Sequence, residues 1–117
     1  MKREQQSLEL MRALDAEQDT QRLKMGDRLS TPRPVDHFLY FRSKSEAEAA
    51  ALELIDQGFV TCVNRKGFHD WLLEARNESD VELQTIDALS DWMFSFAGRH
   101  GGIYDGWGAP VILDGAP

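Results

Sequence analysis

Disulfide-forming cysteine pairs, long apolar runs and an excess of positive charge are all missing from this 117-residue chain. Cys62 is the only cysteine, so no disulfide can form within the chain, as is usual for proteins of a reducing compartment. No stretch approaches the roughly 20 apolar residues that a membrane-spanning helix needs, and residues 1–9 are charged and polar, unlike a signal peptide. These absences predict a cytoplasmic protein with no membrane contact.

The charge balance is acidic. The chain has 13 Lys and Arg against 20 Asp and Glu, a net charge of -7 at pH 7, and residues 35–117 carry the excess. Binding to nucleic acid depends on Lys and Arg displacing counterions from phosphates, so this acidic protein is not expected to bind RNA or DNA directly. Because opposite fields steer association, the charge favours a basic protein partner.

Motifs of catalytic and cofactor sites are missing too. There is no phosphate-binding P-loop and no G-x-S-x-G, H-E-x-x-H or C-x-x-C pattern. His37, His69 and His100 share no metal-ligand spacing. Asp36 with His37, or His69 with Asp70, could serve acid–base chemistry in a small enzyme, but polar residues at strand ends are the favoured interpretation. The sequence therefore predicts no enzyme activity, no cofactor and no metal.

What is present is an alternation of helical and strand patterns. Residues 1–24 lack Gly and Pro and predict a helix whose thin apolar stripe, Leu8, Met11, Leu14 and Leu23, packs on the body, pairs with another chain or frays. Rich β-branched and aromatic content predicts four strands, at residues 35–41, 59–63, 68–76 and 103–113.

Local signals place the helices and turns between these strands. Capping boxes predict helix starts at Ser45 with Glu48 and at Ser79 with Glu82. Glycines predict the helix ends and other breaks: Gly26, Gly58 and Gly101 as helix ends, a turn over residues 64–67, and a bulge at Gly106 and Gly108.

The resulting order, a helix followed by β-α-β-β-α-β, predicts an α+β fold. Right-handed crossovers give a ferredoxin-like two-layer sandwich with an antiparallel sheet in the strand order 4-1-3-2. We expect an N-terminal helix over residues 1–25, a linker over residues 26–34 and the sandwich domain over residues 35–117. Trp71 and Trp92 are predicted to lie in its core.

The first strand is apolar on both faces, with Phe38 and Tyr40 opposite Leu39 and Phe41. Helices cover only one face of this fold, and an exposed apolar patch usually marks a contact site. The N-terminal helix, a second copy of the chain or a different protein could cover the other face. Each of these predicts an interaction surface, and the second predicts a homodimer.

One segment combines aromatic side chains with glycines in a strand: Tyr104, Asp105, Gly106, Trp107 and Gly108. Asp-Gly within a strand indicates a bulge that re-aims the two rings, and Tyr and Trp are enriched at binding hot spots. Alternatively, a glycine kink packs both rings inward. The sequence leaves both interpretations open.

This YDGWG segment, with DRLS at residues 27–30 and PRPVDHFLYF at residues 32–41, resembles the RraB family, a family of protein regulators of ribonuclease E. The resemblance implies a ferredoxin-like fold and a non-enzymatic protein that binds the scaffold region of ribonuclease E, not RNA, and inhibits cleavage. A small-molecule-sensing module is the alternative.

The predicted protein-binding residues combine this segment with two acidic side chains. Tyr104, Asp105, Gly106 and Trp107 would form the recognition edge, where a partner strand could also add. Asp36 and Glu74 would supply complementary charge: the predicted binding residues are Asp36, Glu74, Tyr104, Asp105, Gly106 and Trp107.

Overall fold

The computed structural model describes residues 7–113. Its elements, in chain order, are α1 (Leu8–Lys24), β1 (Arg33–Phe41), α2 (Lys44–Asp56), β2 (Val60–Lys66), β3 (Asp70–Ser79), α3 (Leu83–Arg99) and β4 (Ile103–Gly108). The strands form one antiparallel sheet in the order β2-β3-β1-β4. The ferredoxin-like sandwich and its strand order are confirmed. The first six residues of the predicted N-terminal helix and the last four of the predicted domain lie outside the described residues.

The N-cap of helix α2 is Ser43, two residues before the predicted cap at Ser45. The Ser43 hydroxyl accepts a hydrogen bond from the Glu46 N–H at 3.2 Å and donates one to the Glu46 carboxylate at 3.1 Å. Two overlapping S-x-x-E patterns fit this stretch, and the earlier one forms because β1 ends at Phe41 and leaves Ser43 extended.

The predicted capping box at the start of α3 is wrong. Ser79 still belongs to β3, where it pairs with Arg33 on β1, and its hydroxyl donates to the Asp80 carbonyl at 2.7 Å and does not cap α3. Glu82 occupies the N-cap position without a side-chain cap, and its N–H donates to the Asp80 carboxylate at 3.1 Å.

The β2–β3 hairpin turns three residues later than predicted. Lys66 pairs with Asp70, so β2 includes most of the predicted turn and residues 67–69 form the loop. Gly67 adopts a φ of 71°, in the left-handed region that favours glycine. The sequence predicted His69 at the start of a strand, but His69 lies in the turn.

Strand β4 ends at Gly108 and not at residue 113. Beyond it comes Pro110, which lacks the N–H that a continuing ladder needs. The chain then runs beside the α1–β1 connection, where the Arg28 N–H donates to the Ile112 carbonyl at 2.7 Å and Asp27 forms an isolated bridge with Leu113.

The three helices of residues 7–113 lie on one face of the sheet. Helix α2 packs over β2 and β3, α3 packs against β4, and α1 packs beside α3. Met11 of α1 joins the core with Phe41 and Tyr104. Helix α1 therefore does not cover the open sheet face, and one of the three predicted occupants of that face is excluded.

One residue of the predicted apolar stripe, Met11, and two polar residues anchor α1. Met11, Asp15 and Arg22 are its buried residues, whereas the other stripe residues, Leu8, Leu14 and Leu23, are exposed. The prediction for the tryptophans is partly wrong: Trp71 is partly buried against the core, but Trp92 is 38% exposed.

Candidate protein-binding site

A β-bulge shapes the YDGWG segment. Tyr104 pairs with Leu39 and Trp107 pairs with His37, so Asp105 and Gly106 lie opposite one residue of β1. Gly106 has a φ of 101°, a conformation that favours glycine, so the predicted bulge is confirmed there. The bulge directs Tyr104 and Trp107 to the same, helix-covered side of the sheet.

Tyr104 lies in the core below the bulge, 2% exposed. Its hydroxyl donates to Nδ1 of His37 at 2.9 Å, and Nε2–H of His37 donates to Oδ1 of Asn77 at 3.1 Å. Burial lowers the pKa of His37 to about 4, against the opposing effects of the Asn77 hydrogen bond and the Asp36 charge. Burial also raises the pKa of Tyr104. Both groups are therefore neutral at pH 7, and their hydrogen bond lies beneath the bulge on the helix-covered side of the sheet.

Trp107 attaches the same segment to α1. Its indole N–H donates to Oδ1 of Asp15 at 3.0 Å, and the Arg22 guanidinium lies 5.1 Å from its ring centroid. Burial raises the pKa of Asp15 to about 6; the Trp107 hydrogen bond and the Ser90 hydroxyl oppose this shift, and Asp87 adds to it. The ring is partly buried, with one part left at the surface.

Asp105, Gly106 and Trp107 line a cleft of about 330 Å³ between β4 and α1. The helix supplies the rest of the lining, which is Met11, Leu14, Asp15, Glu17, Gln18 and Gln21. Three of the residues that line the cleft are carboxylates and none of them is Lys or Arg. Such a cleft suits a cationic side chain of a partner.

The strand register brings the predicted acidic residues to this segment. Glu74 lies opposite Phe38, which in turn lies opposite the bulge, and Asp36 lies opposite Gly108. Neighbouring strands are roughly 5 Å apart, so these residues lie within roughly 10 Å of one another across three strands. They face the open side of the sheet, beside the partly buried Phe38 and Tyr40.

Asp36 is held by a cross-strand ion pair. Nε of Arg76 lies 2.7 Å from Oδ1 of Asp36, and Nη2 lies 3.1 Å from Oδ2. The hydrogen bond and charge of Asp36 raise the pKa of Arg76, and Glu78 and Glu74 add to this. Three carboxylates thus surround one guanidinium, and the open face keeps negative charge.

Sequence reasoning missed a buried ion triad. Nη1 of Arg33 lies 2.7 Å and 2.9 Å from the two Asp27 oxygens, and Nη1 of Arg22 lies 2.9 Å from Oδ2. Burial raises the pKa of Asp27, but the hydrogen bonds from Arg33 and Arg22 outweigh it and hold the pKa below its usual value. A sequence signal for this triad existed, because Asp27 and Arg33 lie in the two stretches, residues 27–30 and 32–41, that carry the family resemblance.

The triad also attaches the chain beyond β4. Arg22 donates to the Ala109 carbonyl at 2.8 Å, and Arg33 donates to the Pro110 carbonyl at 3.0 Å. Between residues 7 and 113, no three His, Cys, Asp or Glu side chains are arranged to hold a metal ion. Among the described helices, none has the length and apolar character to cross a membrane.

The fold and the site define a small ferredoxin-like protein with a docked N-terminal helix and an acidic surface beside a bulged edge strand. The family model described as Regulator of ribonuclease activity B (RraB) matches residues 12–109. The chain belongs to this family, which confirms the resemblance seen in its sequence, and family membership implies regulation of ribonuclease activity through protein contact. No curated protein significantly matches the chain.

Proposed function

We propose that this protein is a non-enzymatic cytoplasmic regulator that binds a ribonuclease of the ribonuclease E type and modulates RNA turnover by that contact. The family match over residues 12–109 carries the proposal. The net charge of -7 favours binding to a basic region of the ribonuclease over binding to its RNA.

The contact surface in this proposal is the bulged edge and the open face next to it. Asp105 and Gly106 offer the α1–β4 cleft to a cationic side chain, and Glu74 and Asp36 extend the negative charge over the sheet. Trp107 contributes its exposed rim. Tyr104 is buried, so its role here is to support the bulge.

Addition of a partner strand to β4 is a weaker form of this contact. The strand has only six residues and contains the bulge. Short, bulged edge strands resist pairing with another chain. Side-chain contacts are therefore the main element of the proposed interface.

Charge reversal at the site tests the proposal. Glu74→Lys and Asp105→Lys, singly and together, should weaken binding to the basic non-catalytic region of ribonuclease E, the double variant by at least about tenfold, because each places a cation against a cationic partner. Biolayer interferometry at several salt concentrations measures the affinity, and cleavage of a labelled RNA by the full enzyme measures inhibition.

Glu9→Lys makes the same charge change on an exposed position of α1 and is the matched control. Equal loss of binding in the control and the site variants would mean that only net charge matters and would reject this surface. Absence of binding by the unaltered protein would reject ribonuclease E as the partner. Light scattering on the free protein measures its molar mass and so tests the predicted homodimer. In such a dimer, the second copy would cover the open face.

A further inference from the structure

The helical side of the molecule carries an apolar groove that the proposed site does not use. It has a volume of about 400 Å³ and lies between Phe59 and α3, lined by Gln57, Phe59, Thr85, Ala88, Leu89 and Trp92. No lining residue is charged. The groove is on the face opposite Asp36 and Glu74, so it is separate from the surface proposed above.

Three aromatic rings form a stacked row at this groove. Trp92 lies between Phe59, at a centroid distance of 6.2 Å and an interplanar angle of 11°, and Phe96, at 5.1 Å and 10°. Phe96 is fully buried, Phe59 is partly buried and Trp92 is 38% exposed. The stacking fixes the indole before any partner arrives, so little side-chain entropy is lost on contact.

The segments that contribute the groove's lining residues contain no basic side chains. Residues 45–64 and 77–98 contain no Lys or Arg. Three exposed carboxylates lie within four residues of a lining residue: Glu53, Asp56 and Glu82. Asp87 and Asp91 on α3 instead face α1, where Asp87 lies beside Asp15 and Asp91 pairs with Arg12. An apolar groove with carboxylates beside it is complementary to a segment in which basic residues flank one apolar side chain.

We propose that this groove binds a basic linear segment of a protein partner through one large apolar anchor. The anchor packs between Trp92, Phe59 and Leu89. The arginines or lysines on either side of it pair with the exposed carboxylates of Glu53, Asp56 and Glu82. The proposal rests on the groove itself and does not depend on the ribonuclease assignment.

A designed peptide tests this binding directly. The probe is a short fluorescent peptide with arginines at both ends and a central leucine, and two comparison peptides replace the leucine by alanine or the arginines by glutamates. We expect the first peptide to bind in a salt-sensitive manner and the other two to bind at least about tenfold more weakly, measured by fluorescence anisotropy. Equal binding of the leucine and alanine peptides would overturn the proposal, because it would show charge attraction without a groove.

Two variants locate the contact. Trp92→Ala removes the anchor's platform, and Ala88→Arg places a cation at an exposed helix position on the groove wall, which leaves the Trp92–Phe96 packing intact. Each should weaken the leucine peptide at least about tenfold. Phe68→Ala, at a hairpin ring that is 87% exposed, is the matched control and should not change binding. Unchanged binding by folded Ala88→Arg protein would overturn the assignment.

Indole N–H signals in a ¹⁵N correlation spectrum separate this groove from the other surface. The chain has three tryptophans, and the leucine peptide should shift the Trp92 signal and not that of Trp107. A shift of Trp107 alone would move the site to the α1–β4 cleft. Binding of anilinonaphthalene sulfonate that Ala88→Arg abolishes, without peptide binding, would identify a small-molecule groove instead and reject the peptide proposal.

Discussion

Asp27 is the residue on which the polar interior depends. Its side chain has no exposed surface and is shared by the guanidiniums of Arg22 and Arg33, which are 7% and 1% exposed. Arg22 also donates to the carbonyls of Ala109 and Pro110, and Arg33 donates to that of Pro110. One carboxylate therefore joins the end of α1, the start of β1 and the chain after β4, and two buried cations rely on it.

Removal of this carboxylate should be costly. Asp27→Ala leaves two guanidiniums buried without their anion, and we expect the free energy of unfolding to fall by about 3 to 5 kcal/mol. Urea unfolding followed by circular dichroism measures the change. Asp56→Ala, at an exposed position of α2, should change it by less than about 0.5 kcal/mol. A loss below about 1 kcal/mol for Asp27→Ala would show that the triad does not stabilise the fold.

At the scale of elements, the sequence predicted each described helix and strand but not all of their ends. Periodicity and propensity act within a segment, so they identified the seven elements of residues 7–113. Ends are decided by competition between neighbours: Ser79 fits a cap but pairs with Arg33, and residues 64–66 fit a turn but extend β2. The face by which α1 docks was not predictable, because Asp15 and Arg22 are buried by partners far along the chain.

The same limit applies to the candidate site. The YDGWG bulge follows from local glycine chemistry, and it was predicted. Tyr104 is buried by core residues distant in the sequence and bonds to His37, and Glu74 lies beside the bulge because of the strand register. Local sequence contains neither fact.

Two glycines of the α3–β4 unit should respond to alanine in opposite directions. A Cβ at Gly102 would lie 2.4 Å from the Phe41 ring and 2.7 Å from the Tyr40 carbonyl, so Gly102→Ala should lower the free energy of unfolding by about 1 to 3 kcal/mol or more. Gly98 lies within α3, and a Cβ there would meet nothing within 4 Å, so Gly98→Ala should raise it by about 0.5 to 1 kcal/mol. Thermal melts of both variants check this, and a stabilised Gly102→Ala protein would contradict the close approach.

At the scale of the whole molecule, Asp15 and His37 are buried groups whose shifted pKa values affect stability between pH 4 and pH 8. Asp15 on α1 faces Trp107, Ser90 and Asp87, and its pKa in the folded protein is about 6. His37 in the sheet faces Tyr104, Asn77 and Asp36, and its pKa in the folded protein is about 4. Both shifts come mainly from burial, which favours the neutral form of each group.

The neutral form of Asp15 carries the proton, whereas the neutral form of His37 lacks it. The two groups therefore have opposite effects on stability as pH changes. Asp15 binds its proton more tightly in the folded state, so its contribution to stability is lost as pH rises from about 4 through 6. His37 binds its proton less tightly in the folded state, so stability is lost as pH falls from about 6.5 through 4. Between pH 8 and pH 5, the titration of His37 should lower the free energy of unfolding by about 2 kcal/mol, and that of Asp15 should raise it by about 1 kcal/mol. Stability should therefore depend only weakly on pH in this range.

Asp15→Asn should expose the histidine effect. The amide keeps an acceptor for the Trp107 N–H and removes the titration, so the variant should lose about 2 kcal/mol between pH 8 and pH 5, more than the unaltered protein loses. His37→Gln should show the reverse, with stability that rises as pH falls. Urea unfolding at pH 5, 6.5 and 8 measures the three profiles. Parallel profiles would contradict the opposed burial of these two groups, because only the difference in slope, and not overall stability, depends on their titration.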